Sequence, residues 1–280
     1  MAFNGSFPAP KIQPATGGLF SVADVQVHTE GDLRWAQKEY TQEHNGAWTT
    51  KVAREGTSVD LGWSEGPEDG TIVWPFEIVV EAEFSGINSI DETAIERVES
   101  YLETITQAAV ERELMYGEAR TGGTAQILDQ VNAAGRAALV ARPITEAIAA
   151  LEMPVGIDGN YTPLPRVIHL PPDVAVHARN MLQAPDSEGR VFTRQGTPVV
   201  IGHGYENADG PNSAGYTPAT RWGYTTGALS VHLSPIDDLE DLLRQAFIPA
   251  TNRLKFSVTR IAAVSYDPTP ETVVKIDLTQ

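Results

Sequence analysis

Six histidines, His28, His44, His169, His177, His203 and His232, are the side chains best suited to move protons or hold a metal near neutral pH. No two of them stand at HExxH spacing or any other close ligand spacing, and no two share a helix face. They read as surface or internally satisfied residues. The glycine-rich run GHGYENADG at 202–210 follows a strand-like segment, which is the setting of a phosphate loop. It has neither the G-x-G-x-x-G spacing nor a Walker lysine, and no helix opens after it, so a surface loop is expected. No G-x-S-x-G elbow offers an acylating serine. The acid pairs Asp237/Asp238 and Glu240/Asp241 fall in the first turns of a proline-started helix, where the dipole favours carboxylates without any catalytic role. The tryptophans fit carbohydrate stacking, and strand packing explains them as well. The expectation is a chain that is not an enzyme and has no catalytic, cofactor-binding or metal-ligating residue.

Composition narrows the classes further. The chain has 280 residues, enough for one large domain or two smaller ones with a substantial core. Its hydrophobic fraction, 41%, is ordinary for a globular protein. No apolar run approaches the roughly 18–20 residues of a membrane span. The opening MAFNGSFPAPKIQPATGG has no charged region followed by an apolar stretch, so no secretion signal is expected. With no cysteine, disulfides, thiolate metal sites and a cysteine nucleophile are excluded, which fits a reducing cytoplasm. A net charge of -17 opposes tight gripping of phosphate backbones and suits a protein kept off nucleic acid and membranes by its own field. No basic or basic-aromatic patch offers a nucleic-acid surface.

The elements that would position any site are mostly strands, with one long exception. Residues 1–27, with Pro8, Pro10, Pro14, Gly17 and Gly18, read as an extended arm. Residues 28–70 are polar and glycine-punctuated, carry Trp35, Trp48 and Trp63, and read as a projecting β-hairpin. Ile72, Trp74, Phe76, Ile78, Val80, Ala82 and Phe84 alternate with Glu77, Glu81 and Glu83, a strand with one core face and one wet face.

The run SIDETAIERVESYLETITQAAVEREL at 89–114 follows as one helix of roughly 39 Å, opened by a Ser89/Glu92 capping box. Ile95, Val98, Leu102, Ile105 and Ala109 make its apolar stripe, and its carboxylates are expected on solvated faces. Two shorter helical pieces are expected over 124–152, broken near Gly135 and Pro143. Then come a strand at 166–170, a proline-started helix from PPDVAVHARNML, strands from TPVVIGHGY and GALSVHL, and a helix over SPIDDLEDLLRQAF. Two closing strands end the run, and both are expected to return beside the strand that precedes the long helix. That order predicts one discontinuous domain with another inserted in it.

The quoted stretches, in order, resemble one family. The closing run NRLKFSVTRIAAVSYDPTPETVVKIDLTQ is similar to the C-terminal strands of tailed-bacteriophage major capsid proteins of the Hong Kong 97 type. WGYTTGALSVHLSP resembles an aromatic-rich turn and strand of actinobacterial-phage capsid proteins. PITEAIAALE, LPRVIHLPPDVAVHAR and GTPVVIGHGY resemble their inserted axial domain, and EIVVEAEFSG through VEREL resembles the strand and long spine helix before it.

The resemblance implies an α+β fold with an N-terminal arm at 1–27, an extended β-hairpin (the E-loop) at 28–70, a peripheral domain at 71–121 plus 248–280, and an axial domain at 122–247. It implies a structural protein that assembles as pentamers and hexamers into an icosahedral phage head around double-stranded DNA, without sequence-specific binding or a cofactor. Separate scaffolding, portal or decoration proteins are the implied partners, and the virion, built in the host cytoplasm, is the implied location. The chain starts at the arm, which implies a separate scaffold or none. Some members cross-link a lysine of the E-loop to an asparagine through a glutamate. Here Lys51 and Asn252 would be the partners, but no glutamate precedes Glu271 in the strand after Asn252, so no cross-link is expected. An encapsulin-like compartment shell, an acidic enzyme using the loop at 202–221, and a tail or decoration protein are the alternatives. The arm is expected to be dispensable for folding of the subunit.

Overall fold

The computed structural model describes residues 16–28, 40–41, 53–54, 57–58, 72–73, 75–85, 92–116, 140–153, 166–205, 219–236, 247–248, 253–266 and 272–279. The first part of the expected arm, the hairpin tryptophans, the helical piece before residue 140 and most of the helix expected over 234–247 lie outside them. Fifteen strands and three α-helices fall within. The strands are β1 (Asp24–Val27), β2 (Tyr40–Thr41), β3 (Ala53–Arg54), β4 (Thr57–Ser58), β5 (Ile72–Val73), β6 (Phe76–Ser85), β7 (Arg142–Pro143), β8 (Val167–Leu170), β9 (Val191–Phe192), β10 (Pro198–Ile201), β11 (Thr220–Thr226), β12 (Leu229–Leu233), β13 (Phe247–Ile248), β14 (Arg253–Tyr266) and β15 (Thr272–Asp277). The helices are α1 (Glu92–Tyr116), α2 (Ile144–Glu152) and α3 (Pro172–His177).

Two sheets carry the architecture, an α+β arrangement with mixed strand directions. In the first sheet β14 is the axis. Its Arg253–Ala262 half pairs antiparallel with β6, and its Ala262–Tyr266 end pairs on the opposite side with β12. β1 then adds parallel to β12, and β13 pairs near the start of β14. The alternation read in the sequence decides which face is covered: Ile78 and Val80 of β6 are buried while Glu77 and Val79 are exposed. Helix α1 lies across β6 and β14, and Val98 and Leu102 join Ile78, Val80, Val258 and Ala262 in one core. The apolar stripe therefore has its partner, with Ile105 and Ala109 half-buried at its edge.

The second sheet runs β7-β15-β11-β8-β10-β9. One face is covered by α2 and α3: Ile148, Leu151, Ile168, Leu170, Val174 and Ile276 form a separate core there. The other face joins the first core through Val167, Trp222, Tyr224 and Val273. Buried Arg221 of β11 pairs with Asp173 in the first turn of α3, and the other carboxylate oxygen of Asp173 accepts from Val174 N at 2.9 Å.

Two expectations change. The first closing strand, β14, returns to β6 as the sequence implies, but β15 sits between β7 and β11 in the second sheet. The sequence showed β15 as one apolar face opposite Lys275 and Asp277. In place, Val273 and Val274 are both buried, and the Lys275 ammonium lies 5.7 Å from the centre of the Trp222 ring, so the strand is covered on both sides. The second change concerns residues 16–27, read as part of an extended arm. They dock on the body through a 3₁₀ turn (Leu19–Ser21) and β1, and Leu19 is wholly buried. The reason is tertiary, since the docking partners lie on α1, β10 and β12.

Candidate functional site

The most constrained chemistry in the described residues surrounds Glu111, in the second half of α1. Its carboxylate is fully buried. Oε1 accepts from Leu19 N at 2.9 Å and from Gln107 Nε2 at 3.1 Å, and Oε2 accepts from Gly204 N at 2.8 Å. One side chain thus joins α1, the docked N-terminal segment and the turn that follows β10. Burial pushes its pKa up, while the two backbone donors, Gln107 and nearby His203 act in the opposite direction. Two glycines permit the approach. Gly17 takes φ 79°, donates to Gly189 O and accepts from Ile201 N, which lashes the segment to the end of β10. At Gly204 a Cβ would stand 2.2 Å from the Ala108 carbonyl oxygen of α1, so only glycine lets this turn touch the helix backbone.

A second buried group adjoins it. The His169 Nδ1 lies 2.6 Å from the Tyr205 hydroxyl, and His169 Nε2 lies 2.8 Å from Thr226 Oγ1. Burial lowers the His169 pKa to about 3, so this imidazole stays neutral across the physiological range. Burial, and the charge of Glu111, push the Tyr205 phenol well above its ordinary value. Every proton here is held tightly, and none faces solvent. The arrangement suits a joint between elements rather than a reaction.

The other sequence candidates are dispersed. His177 and His203 are exposed, and His28 and His232, separated by 204 residues, meet at 3.0 Å. Of GHGYENADG, residues 202–205 form the turn against α1, and the rest lies outside the described residues. His44, Asp237, Asp238, Glu240, Asp241, Lys51, Asn252 and Glu271 also lie outside. Among the described residues no cluster of three His, Asp or Glu is placed to hold a metal ion, and no helix is long and apolar enough to cross a membrane.

Sequence reasoning put the α1 carboxylates on solvated faces, and Glu111 overturns that. Between residues 98 and 105, α1 buries Val98 and Leu102 in a single stripe. The second half buries Thr106, Gln107, Val110, Glu111, Leu114 and Met115, two adjacent rows, because the second sheet and the docked segment both reach it. The available signal was the string of i, i+4 partners Gln107–Glu111 and Thr106–Val110 flanking Leu114 and Met115, polar groups inside an apolar patch.

The whole chain also resembles solved structures. It is similar to the capsid of an empty GTA particle over 99% of this chain and 95% of that one, with TM-score 0.52 and 13% identity. The fold is shared with a capsid protein. A structure from Mycobacterium phage Adephagia is similar over 100% of this chain and 95% of that one, with TM-score 0.52 and 14% identity. One from Mycobacterium phage Cain is similar over 100% and 96%, with TM-score 0.50 and 12% identity. No protein-family model matches the sequence, and a search of the curated proteins finds no match.

Proposed function

We propose that the chain is the major capsid protein of a tailed bacteriophage, a structural subunit that self-assembles into pentamers and hexamers of an icosahedral head around double-stranded DNA. The observation that carries this reading is the end-to-end likeness to the capsid of the GTA particle, over 99% of this chain and 95% of that one. A shared nucleotide or ligand module would match only part of each chain. The buried, proton-tight joints agree with a building role.

On this reading residues 1–27 are the arm, 28–70 the E-loop, 71–121 with 248–280 the peripheral domain and 122–247 the axial domain of a Hong Kong 97-like subunit. α1 is the spine. β15 complicates the division, since it belongs by chain order to the peripheral part and by hydrogen bonding to the sheet of β7, β11 and β8. Ring contacts between such subunits are heterologous, each copy presenting one face to a different face of the next. The net charge of -17 agrees with a wall that encloses DNA without adhering to it.

Expression of the full chain, followed by gel filtration and negative-stain electron microscopy, tests the reading. Closed shells, or rings of five and six, are the expected result. A stable monomer that forms no particles at high concentration, in any salt and with or without a co-expressed scaffold, overturns it.

A further inference from the structure

His28 and His232 form a pair that neither the fold nor the shell reading requires. His28 stands at the end of β1, where the chain leaves the first sheet towards residues 29–70, and its N–H donates to Leu233 O at 2.9 Å. Its Nε2 lies 3.0 Å from Nδ1 of His232 on β12. The ring centroids are 5.2 Å apart and the planes differ by 23°. That separation is close to the N···N distance plus one ring radius at each end, so the rings meet edge to edge, each nitrogen aimed at the other. A metal ion would need both lone pairs converging on a third point. Facing lone pairs instead share a proton.

The proton count then decides the state of the contact. A neutral pair makes one N–H···N bond. One added proton leaves a charge-assisted bond of the same geometry. A second puts N–H against N–H and two positive charges side by side, and the rings must part. The described groups that face the pair lie on β1, β12 and β14. On β1 the Asp24 carboxylate, which also accepts from Gln26, favours protonation of His232. On β12 the neighbour is Ser230, whose Oγ lies 3.4 Å from His232 Nε2. On β14 Ala263 stands opposite His232, with Ile261 and Ser265 at the flanking positions, none of them titratable, while Arg260 turns its Nε to Ser234 O. Burial, and then the charge of His28, hold His232 below the ordinary histidine range.

We propose that the His28–His232 bond is an acid-sensitive latch that fixes the end of β1 to β12, and that uptake of two protons releases the root of residues 29–70 from the sheet. The inference stands on the geometry of the pair and does not depend on the capsid reading.

Hydrogen exchange of amides 25–28 and 230–233, measured on the full chain at about pH 7.5 and about pH 5 and corrected for the intrinsic pH dependence of exchange, tests it. Protection in the wild type should fall roughly tenfold or more on acidification. In His28→Gln and His232→Gln, which keep a donor and an acceptor but do not titrate, protection should stay level. Unchanged protection in the wild type, or an equal fall in both variants, overturns the proposal. An imidazole NMR titration of the wild type gives a reading that needs no variant. Two steps displaced from each other support a coupled pair, and two coincident independent steps overturn it.

Discussion

Glu111 gathers two backbone N–H groups and one amide at a fully buried position, and its replacement by an apolar residue of similar size separates two opposing effects. Glu111→Leu removes the buried charge, which is favourable, but leaves Leu19 N and Gly204 N without an acceptor. Each orphaned donor costs about 1–3 kcal/mol. A net loss of about 2 kcal/mol or more in urea unfolding is expected, together with faster exchange of the Leu19 and Gly204 amides. Because its folded pKa is raised, Glu111 lowers stability as pH rises through that value, and the Leu variant should lack this limb.

His169 works in the other direction: with a pKa of about 3 in the fold and about 6.5 unfolded, its contribution is fully present above 6.5 and is lost as pH falls towards 3. Stability should therefore decline by about 1 kcal/mol per pH unit below 6.5, and His169→Gln should flatten that slope. An unchanged slope in the variant would place the acid limb elsewhere. Little of this was legible in the sequence. The mark of Glu111 was faint, polar residues at i, i+4 inside an apolar patch of a glutamate-rich helix, and His169 sits in a four-residue strand buried on both faces, where period-two reasoning has nothing to grip.

At the scale of elements the sequence was far more informative. The strand before α1, α1 itself, β12 and both closing strands stand where periodicity put them, because each buries a face wide enough to leave a pattern, and β8 and β10 stand where short apolar runs put them. What pattern could not give was partnership. β15 looks like a companion for β14 and is instead an inner strand of the other sheet, and the pairing of β1 with β12 joins residues about two hundred positions apart. The junction at Gly204 was hidden for the same reason, since a glycine in a polar loop reads as flexibility until a helix backbone is found beside it.

Two substitutions probe this scale. Leu102→Asp places an unpaired carboxylate at a fully buried position between α1 and the first sheet, and loss of folding is expected by circular dichroism. A soluble, cooperatively unfolding variant would mean the stripe is not core. Gly204→Ala drives a methyl into the Ala108 carbonyl, and a loss of about 1–3 kcal/mol in urea unfolding is expected, with the turn lifted from α1 and the Tyr205–His169 contact weakened.

At the scale of the whole molecule the chain crosses between the sheets more than once. β11 in the second sheet leads directly into β12 in the first, and β14 in the first leads into β15 in the second. The continuous core beneath both sheets follows from this path, as does the use of the N-terminal segment as a strap over the joint. Neither sheet is finished until the other has been threaded, and β15 lies between two strands that precede it in the chain.

That placement has a consequence in time. During synthesis β7, β8, β10 and β11 emerge with a gap among them, the slot between β7 and β11, which only residues 272–277 can fill. A nascent chain halted before that point carries a split sheet with two open edges and an uncovered core, and a ribosome-stalled or truncated product ending at residue 270 should be protease-sensitive throughout rather than in one part. The finished product should resist as a unit. Arrival of residues 272–277 and closure of the second sheet then become the same event, and a copy ended before them has no finished second sheet.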